Sequence, residues 1–196
     1  MDEGSIASGE GLVIGETQRG RSVFAAKDFD AGSFIIEFGG ERFSREEYMA
    51  LVVPDNNHFL QIDHNVFLGP TVTADNFINH SCDPNCGLRI DDGRAYLFAI
   101  RPILRGEEIS FDYSTSMDEN FWEMECRCES PSCRGRIRDF RHLPADTRER
   151  YMALGAVPGF ILAGLERTPD IAAMAAGPGA GFPPSADEQP APQSAF

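Results

Sequence analysis

The chain is nearly without lysine. Lys27 is the single one among its 17 basic residues, so positive charge here is almost entirely guanidinium. It is also outnumbered: 31 acidic residues give a formal net charge of −14 over 196 residues. Such a composition does not suit a protein that grips nucleic acid by bulk charge, because phosphate contacts need cations in excess. It suits a basic partner, which an acidic surface steers in. Long apolar runs are also missing. Nothing approaches the ~20 apolar residues of a membrane span, and the longest apolar stretch, 156–165, is interrupted by Pro158, Gly159 and Gly164. The opening MDEGSIASGEGLVIGE has no basic segment of the kind that begins a secretory signal. The expectation is a soluble, intracellular monomer, nuclear or cytoplasmic, with no membrane contact and no direct nucleic-acid binding.

What is present can build a core. Apolar residues make up 42% and aromatics 10%, with 15 Phe, which excludes a wholly disordered chain. Residues 1–125 hold 9 basic and 23 acidic groups, whereas 126–167 hold 8 and 5, so the second stretch is locally positive. Residues 168–196 are rich in Ala, Pro and Gly and read as a disordered tail. Short strand-like runs fall at 12–14, 22–25, 33–38, 59–62, 66–68, 95–100 and 108–111, separated by Gly, Asp, Asn or Pro. A helix is predicted at Ser44–Leu51, capped by Ser44 with acidic residues in its first turn, and another at Ala145–Leu154. Many short strands and few helices predict a mainly β fold of small curled sheets rather than a βαβ layer.

Four clusters carry chemistry. Five cysteines form an odd set, and in a reducing compartment they fit a metal better than a disulfide framework. Cys126, Cys128 and Cys133 form a CxCx4C cluster able to turn round one tetrahedral zinc. A fourth ligand must come from afar, from Cys82, Cys86 or His80. The polar loop Asn79-His80-Ser81-Cys82-Asp83-Pro84-Asn85-Cys86 follows an apolar lead-in, and a polar loop held in the interior is a candidate ligand site. In Gly106-Glu-Glu-Ile-Ser-Phe-Asp-Tyr113, Glu107 and Glu108 are expected to pair with Arg101 and Arg105, and Tyr113 offers a positioned hydroxyl. Arg19-Gly20-Arg21-Ser22 reads as a turn whose glycine lets backbone amides approach a ligand.

Taken in this order, the motifs resemble a SET-domain protein lysine methyltransferase with a post-SET zinc segment. The resemblance runs from about Leu12 to Arg138 and rests on NHSCDPNC (79–86), AIRPILRGEEISFDY (99–113) and CRCESPSCRG (126–135). It implies a β-clip-like fold with a C-terminal pseudoknot, in which the chain threads beneath Asn79–Ser81. With it the chain divides into an N-terminal extension (1–11), a SET domain (12–115) and a post-SET zinc segment (116–138), followed outside the resemblance by a C-terminal helical extension (139–167) and the tail (168–196). Implied cofactors are S-adenosyl-L-methionine, held by Gly20, Arg21, Ser22, Asn79 and His80, and one structural zinc on Cys82, Cys126, Cys128 and Cys133. Tyr113 stands for the tyrosine beside the transferring methyl, and Phe111 for the residue that gates methyl number, which implies di- or trimethylation. Phe121, Trp122 or Phe140 would line the lysine channel. The implied substrate is a basic, lysine-containing protein or peptide such as a histone tail. A SET-like peptide-binding module without catalysis is the alternative. The sequence departs from the family pattern at Ser22, where a second glycine is usual, and at Asn76, where an arginine is common.

Overall fold

The computed structural model describes residues 10–53 and 57–167. The expected tail and all but the last two residues of the N-terminal extension lie outside the described residues. The first hairpin pairs β1 (Leu12–Thr17) with β2 (Gly20–Ala25) in register Thr17↔Gly20, so Gln18 and Arg19 form its two-residue tip. Gly20 has φ +99°, a backbone state that favours glycine, and Thr17 Oγ1 closes the turn by accepting from Arg19 N and donating to Gly20 O. β3 (Phe34–Glu37) follows, then β4 (Arg42–Ser44), which runs into α1 (Arg45–Leu51).

The start of α1 is a capping box. Ser44 Oγ accepts from Glu47 N, and the Glu47 carboxylate accepts from Ser44 N, so two backbone donors are paired reciprocally. Ser44→Ala is expected to destabilise the fold by about 1 kcal/mol, read as a lower midpoint in urea with unchanged slope. β5 (Leu60–Asp63) and β6 (Val66–Leu68) complete a sheet of order β4-β6-β5.

The NHSC loop gives rise to two strands. β7 (Asn79–His80) pairs in parallel with β10 (Ser110–Phe111), and Ser81 N donates to Phe111 O. The C-terminal segment is thus paired where it was expected to pass. Buried Asn85 ties it there, its side chain accepting from Ser110 N and donating to Glu108 O. β8 (Cys86–Asp91) was not foreseen. It forms a hairpin with β9 (Arg94–Ala99) across Asp92–Gly93, at φ +48° and +72°, the paired left-handed turn that matches strand twist. β9 lies between β3 and β8, and Leu88, Ala95 and Leu97 are fully buried in the core beneath.

Beyond the cysteines, β11 (Met124–Glu125) pairs with β12 (Arg136–Ile137). α2 (Ala145–Ala153) is as predicted to within a residue. The interrupted apolar stretch folds instead of looping: Pro158, with its carbonyl accepting from Ile161 N and Leu162 N, leads into α3 (Gly159–Arg167). α2 and α3 bury Tyr151, Ala156 and Ile161 with Phe140 against Phe98 of β9. A Cβ at Gly87 would lie 2.6 Å from that of Ala156, so only glycine lets the helical segment approach this closely. Five small sheets and three short helices make the described residues mainly β, and no described helix is long and apolar enough to cross a membrane.

Candidate active site and cysteine cluster

The cysteines converge. Cys82 Sγ lies 3.7 Å from Cys126 Sγ, and donor atoms of His80, Cys82, Cys126 and Cys128 all lie within 4.8 Å of one another. Zinc–sulfur bonds of ~2.3 Å in a tetrahedron set sulfurs roughly 3.8 Å apart, so the separation fits one shared ion. The Cys133 sulfur interacts with those of Cys126 and Cys128. Backbone amides already serve this cluster as they serve thiolates: Cys82 N points to Cys128 Sγ, Arg134 N to Cys82 Sγ and Gly135 N to Cys133 Sγ. Burial raises the Cys82 thiol to about 11. At Cys128 burial pulls the same way, but the amides of Cys82 and Ser130 outweigh it and bring that thiol down to about 7. Cys86 is elsewhere, buried in β8, with burial pushing its thiol up to about 12.

His80 lies at the same cluster, and its ring nitrogens have different neighbours. Tyr113 N donates to His80 Nδ1 at 3.2 Å, so Nδ1 presents a lone pair; a proton there would meet the Tyr113 amide hydrogen. Asp112 Oδ1 lies 3.5 Å from the same nitrogen, and Nε2 faces Cys82 Sγ at 3.3 Å. Burial, more than any neighbour, pulls the imidazole down to about 4, so the ring is neutral. The donor atoms gathered here thus belong to His80, Cys82, Cys126 and Cys128, with the Cys133 sulfur beside them, 4.0 Å from the Cys126 carbonyl oxygen.

Two cavities flank Tyr113. An open cleft of about 660 Å³ is lined by Arg19, Asn79, His80, Tyr113, Glu125 and Arg127, among others. A narrower one, about 70 Å³, is walled by Phe38, Phe59, Phe111, Tyr113 and Trp122. The larger has room for a nucleoside-sized ligand, whereas the smaller admits only something slender. Tyr113 is common to both. Burial pushes its phenol up, so the hydroxyl keeps its proton and donates to Ile78 O at 2.8 Å. Phe111 is buried beside it, 5.0 Å between ring centroids, and edge-on to Phe38. Of the expected aromatic lining only Trp122 is in the wall; Phe140 is in the C-terminal core and Phe121 lies half exposed.

The first hairpin meets the cleft differently from the expectation. Gln18 and Arg19, at its tip, line it; Gly20, Arg21 and Ser22 do not. Arg21 stacks its guanidinium over Phe77 at 3.8 Å, and Ser22 is buried with its hydroxyl donating to Glu108. Glu107 does pair with Arg101, at 2.9 Å, but Glu108 does not reach Arg105. It instead gathers Arg19 at 2.6 Å, Ser22 and the Asn79 amide on one carboxylate, fixing hairpin and NHSC loop together. Asp112 is a second hub that sequence reading passed over. It is fully buried and accepts from Arg134 at 2.7 Å, Ser114 N and Tyr151 OH.

Comparison with known families matches residues 20–114 to the SET domain. Similar proteins include the histone-lysine N-methyltransferase trithorax of Drosophila virilis, 34% identical over 131 residues, covering 59% of this chain and 3% of the relative. The histone-lysine N-methyltransferase ash1 of Drosophila melanogaster is 34% identical over 117 residues, covering 54% and 5%. The H3 lysine-36 specific histone-lysine N-methyltransferase of Saccharomyces cerevisiae is 34% identical over 129 residues, covering 60% and 18%. The chain therefore spans less than a fifth of each of these relatives. The matched SET region ends at Ser114; it includes His80 and Cys82 but stops short of Cys126, Cys128 and Cys133 and of both C-terminal helices.

Proposed function

We propose that this SET domain transfers methyl groups from S-adenosyl-L-methionine to the side-chain amine of lysine in a basic protein. The carrying observation is that Tyr113 lies in the walls of both the wide cleft and the narrow aromatic cavity. Two ligands could meet there from opposite sides, and similar SET proteins are histone-lysine N-methyltransferases. The cleft's donor set suits a zwitterionic nucleoside: Arg19 and Arg127 for a carboxylate, Glu125 for an ammonium or hydroxyls, Asn79 for polar edges. When bound, the cofactor supplies a methyl group attached to a cationic sulfur. In this reading Cys82, Cys126, Cys128 and Cys133 hold one zinc that takes no part in the chemistry and keeps β11 and β12 against the cleft.

The chain's own contribution is desolvation and alignment. A lysine amine has an ordinary pKa of about 10.4, so only roughly one in 2,500 is neutral at pH 7. Desolvation against the aromatic part of the wall lowers that value, with Asp75 in the same lining acting the other way, and the proton leaves to solvent without a dedicated base. Phe111, Phe38 and Trp122 confine the lysine stem, and the Tyr113 hydroxyl with the Ile78 carbonyl fixes the direction of approach. A basic segment is drawn in by the net negative charge of residues 1–125.

Phe111 sets product number in this scheme. Its ring carries no hydroxyl to anchor a water or the amine, so a methylated amine can turn and present its lone pair again. Di- or trimethyl-lysine is the expected product. Phe111→Tyr is expected to shift the product towards monomethyl-lysine while keeping the first transfer, read by mass spectrometry of one peptide at matched conversion. The function itself is tested by incubating the protein with labelled S-adenosyl-L-methionine and candidate basic proteins, histones included. Label on lysine is expected; cofactor and peptide binding with no transfer would reduce the domain to a binding module.

A further inference from the structure

The helical segment after residue 138 lies outside the matched SET region and outside the cysteine cluster, yet it sends one polar group into the site. Tyr151, on α2, is fully buried among Phe140, Ala156, Ile161 and Phe98. Its hydroxyl leaves that apolar cluster and donates to Asp112 Oδ2 at 2.9 Å. The other oxygen of Asp112 accepts from Arg134 at 2.7 Å and from Ser114 N at 3.1 Å. Asp112 directly precedes Tyr113, whose amide donates to His80. Arg134 directly follows Cys133, and its own amide points to Cys82 Sγ. One carboxylate thus joins the peptide that carries Tyr113 to the strand that leaves the cysteines, and its Oδ2 is held from α2.

We propose that Tyr151 is a positioning residue of the methyl-transfer site and that the C-terminal helices serve as its mount. Asp112 lies where a carboxylate must have each oxygen paired or pay for its burial, and a carboxylate held on one side only can swing. With the Tyr151 hydroxyl in place, Asp112 has a single orientation, and Arg134 and the Tyr113 peptide inherit it. Arg150, beside it on α2, adds a weaker tie, its guanidinium 3.6 Å from Asp83 in the NHSC loop, where both side chains are largely solvated. The helical segment is then part of the catalytic unit rather than an appendage, because it supplies a bond that no residue of the SET region supplies to Asp112.

Tyr151→Phe removes the hydroxyl and leaves the ring. Ile161→Val, in the same helical core and with no polar group to offer Asp112, is the control for lost stability alone. Hydrogen exchange followed by mass spectrometry is expected to show faster exchange at 112–117 and 134–137 in Tyr151→Phe than in Ile161→Val, compared at equal distance below their melting temperatures. The cofactor KM is expected to rise about tenfold in Tyr151→Phe, as for other groups that orient ligand-contacting residues, and to hold steady in the control. Faster exchange confined to 145–167, or equal KM in the two variants, overturns the proposal. The kinetic arm rests on the methyltransferase reading, whereas the exchange arm does not. A wild-type protein that transfers no methyl group removes that reading and still leaves the exchange comparison to decide the role of Tyr151.

Discussion

Tyr113→Phe is expected to lower methyl turnover by about a hundredfold or more, equivalent to about 3 kcal/mol of transition-state stabilisation. The substitution deletes one oxygen and keeps the ring, which packs on Phe111 and His80 with centroids 5.0 and 5.3 Å away. Packing is therefore retained, and the melting temperature should fall only slightly. Cofactor affinity should also change little, since the Tyr113 amide still donates to His80. The lost function is directional. The hydroxyl is held by Ile78 O between two cavities, and it is the one side-chain donor that borders both of them among the cleft and channel residues described above. Single-turnover rates with saturating cofactor and peptide measure the effect. An unchanged rate would put the reaction centre elsewhere.

Removing zinc should have the next largest effect. Metal analysis of protein purified under reducing conditions is expected to give one zinc per chain. Structural zinc contributes roughly 10–16 kcal/mol of binding energy, and that energy is folding energy for whatever the ion holds. Here it would hold a short β11–β12 ribbon with two pairs in register and little apolar burial beyond Met117, Trp122 and Ile137. Chelation, or Cys126→Ser, should release residues 124–137 while the β3-β9-β8 core stays folded. Because Glu125, Arg127 and Cys128 line the cleft, cofactor affinity should fall with the metal. A metal-free preparation that binds cofactor normally would remove zinc from the account.

The sequence carried local pairings well and distant ones poorly. The Ser44–Glu47 capping box, the cysteine spacing and Glu107's proximity to Arg101 are all decided within a few residues, and each is legible from spacing alone. Glu108 shows the opposite case. Its partner is not the neighbouring Arg105 but Arg19, 89 positions away, because the hairpin tip folds over the NHSC loop. Nothing in the spacing of either segment states that meeting. Asp112 was passed over for the same reason, its partners lying 22 and 39 positions downstream. β8 is different, since its signal was present: Asp-Gly at 92–93 between two apolar runs marks a two-residue hairpin. The polar character of residues 79–86 drew the reading towards a loop that ends where the strand begins. In α3, Pro158 and Gly159 read as breakers, although proline is at home at the start of a helix.

The parallel pairing of Asn79–His80 with Ser110–Phe111 also orders events in time. Its two strands are separated by the whole β8–β9 hairpin, and the contacts of Asp112 and Cys82 come from residues 126–151. Contacts this distant in sequence form late, after the hairpins that can close locally. On a ribosome the hairpins of residues 12–25 and 86–99 can form while the rest is still being made, but residue 80 has no partner until residue 111 has emerged, and Asp112 has none from α2 until residue 151 has. A nascent or prematurely ended chain would thus own most of its core and none of its completed site, so the step at which residues 126–151 dock is the step at which activity should first appear.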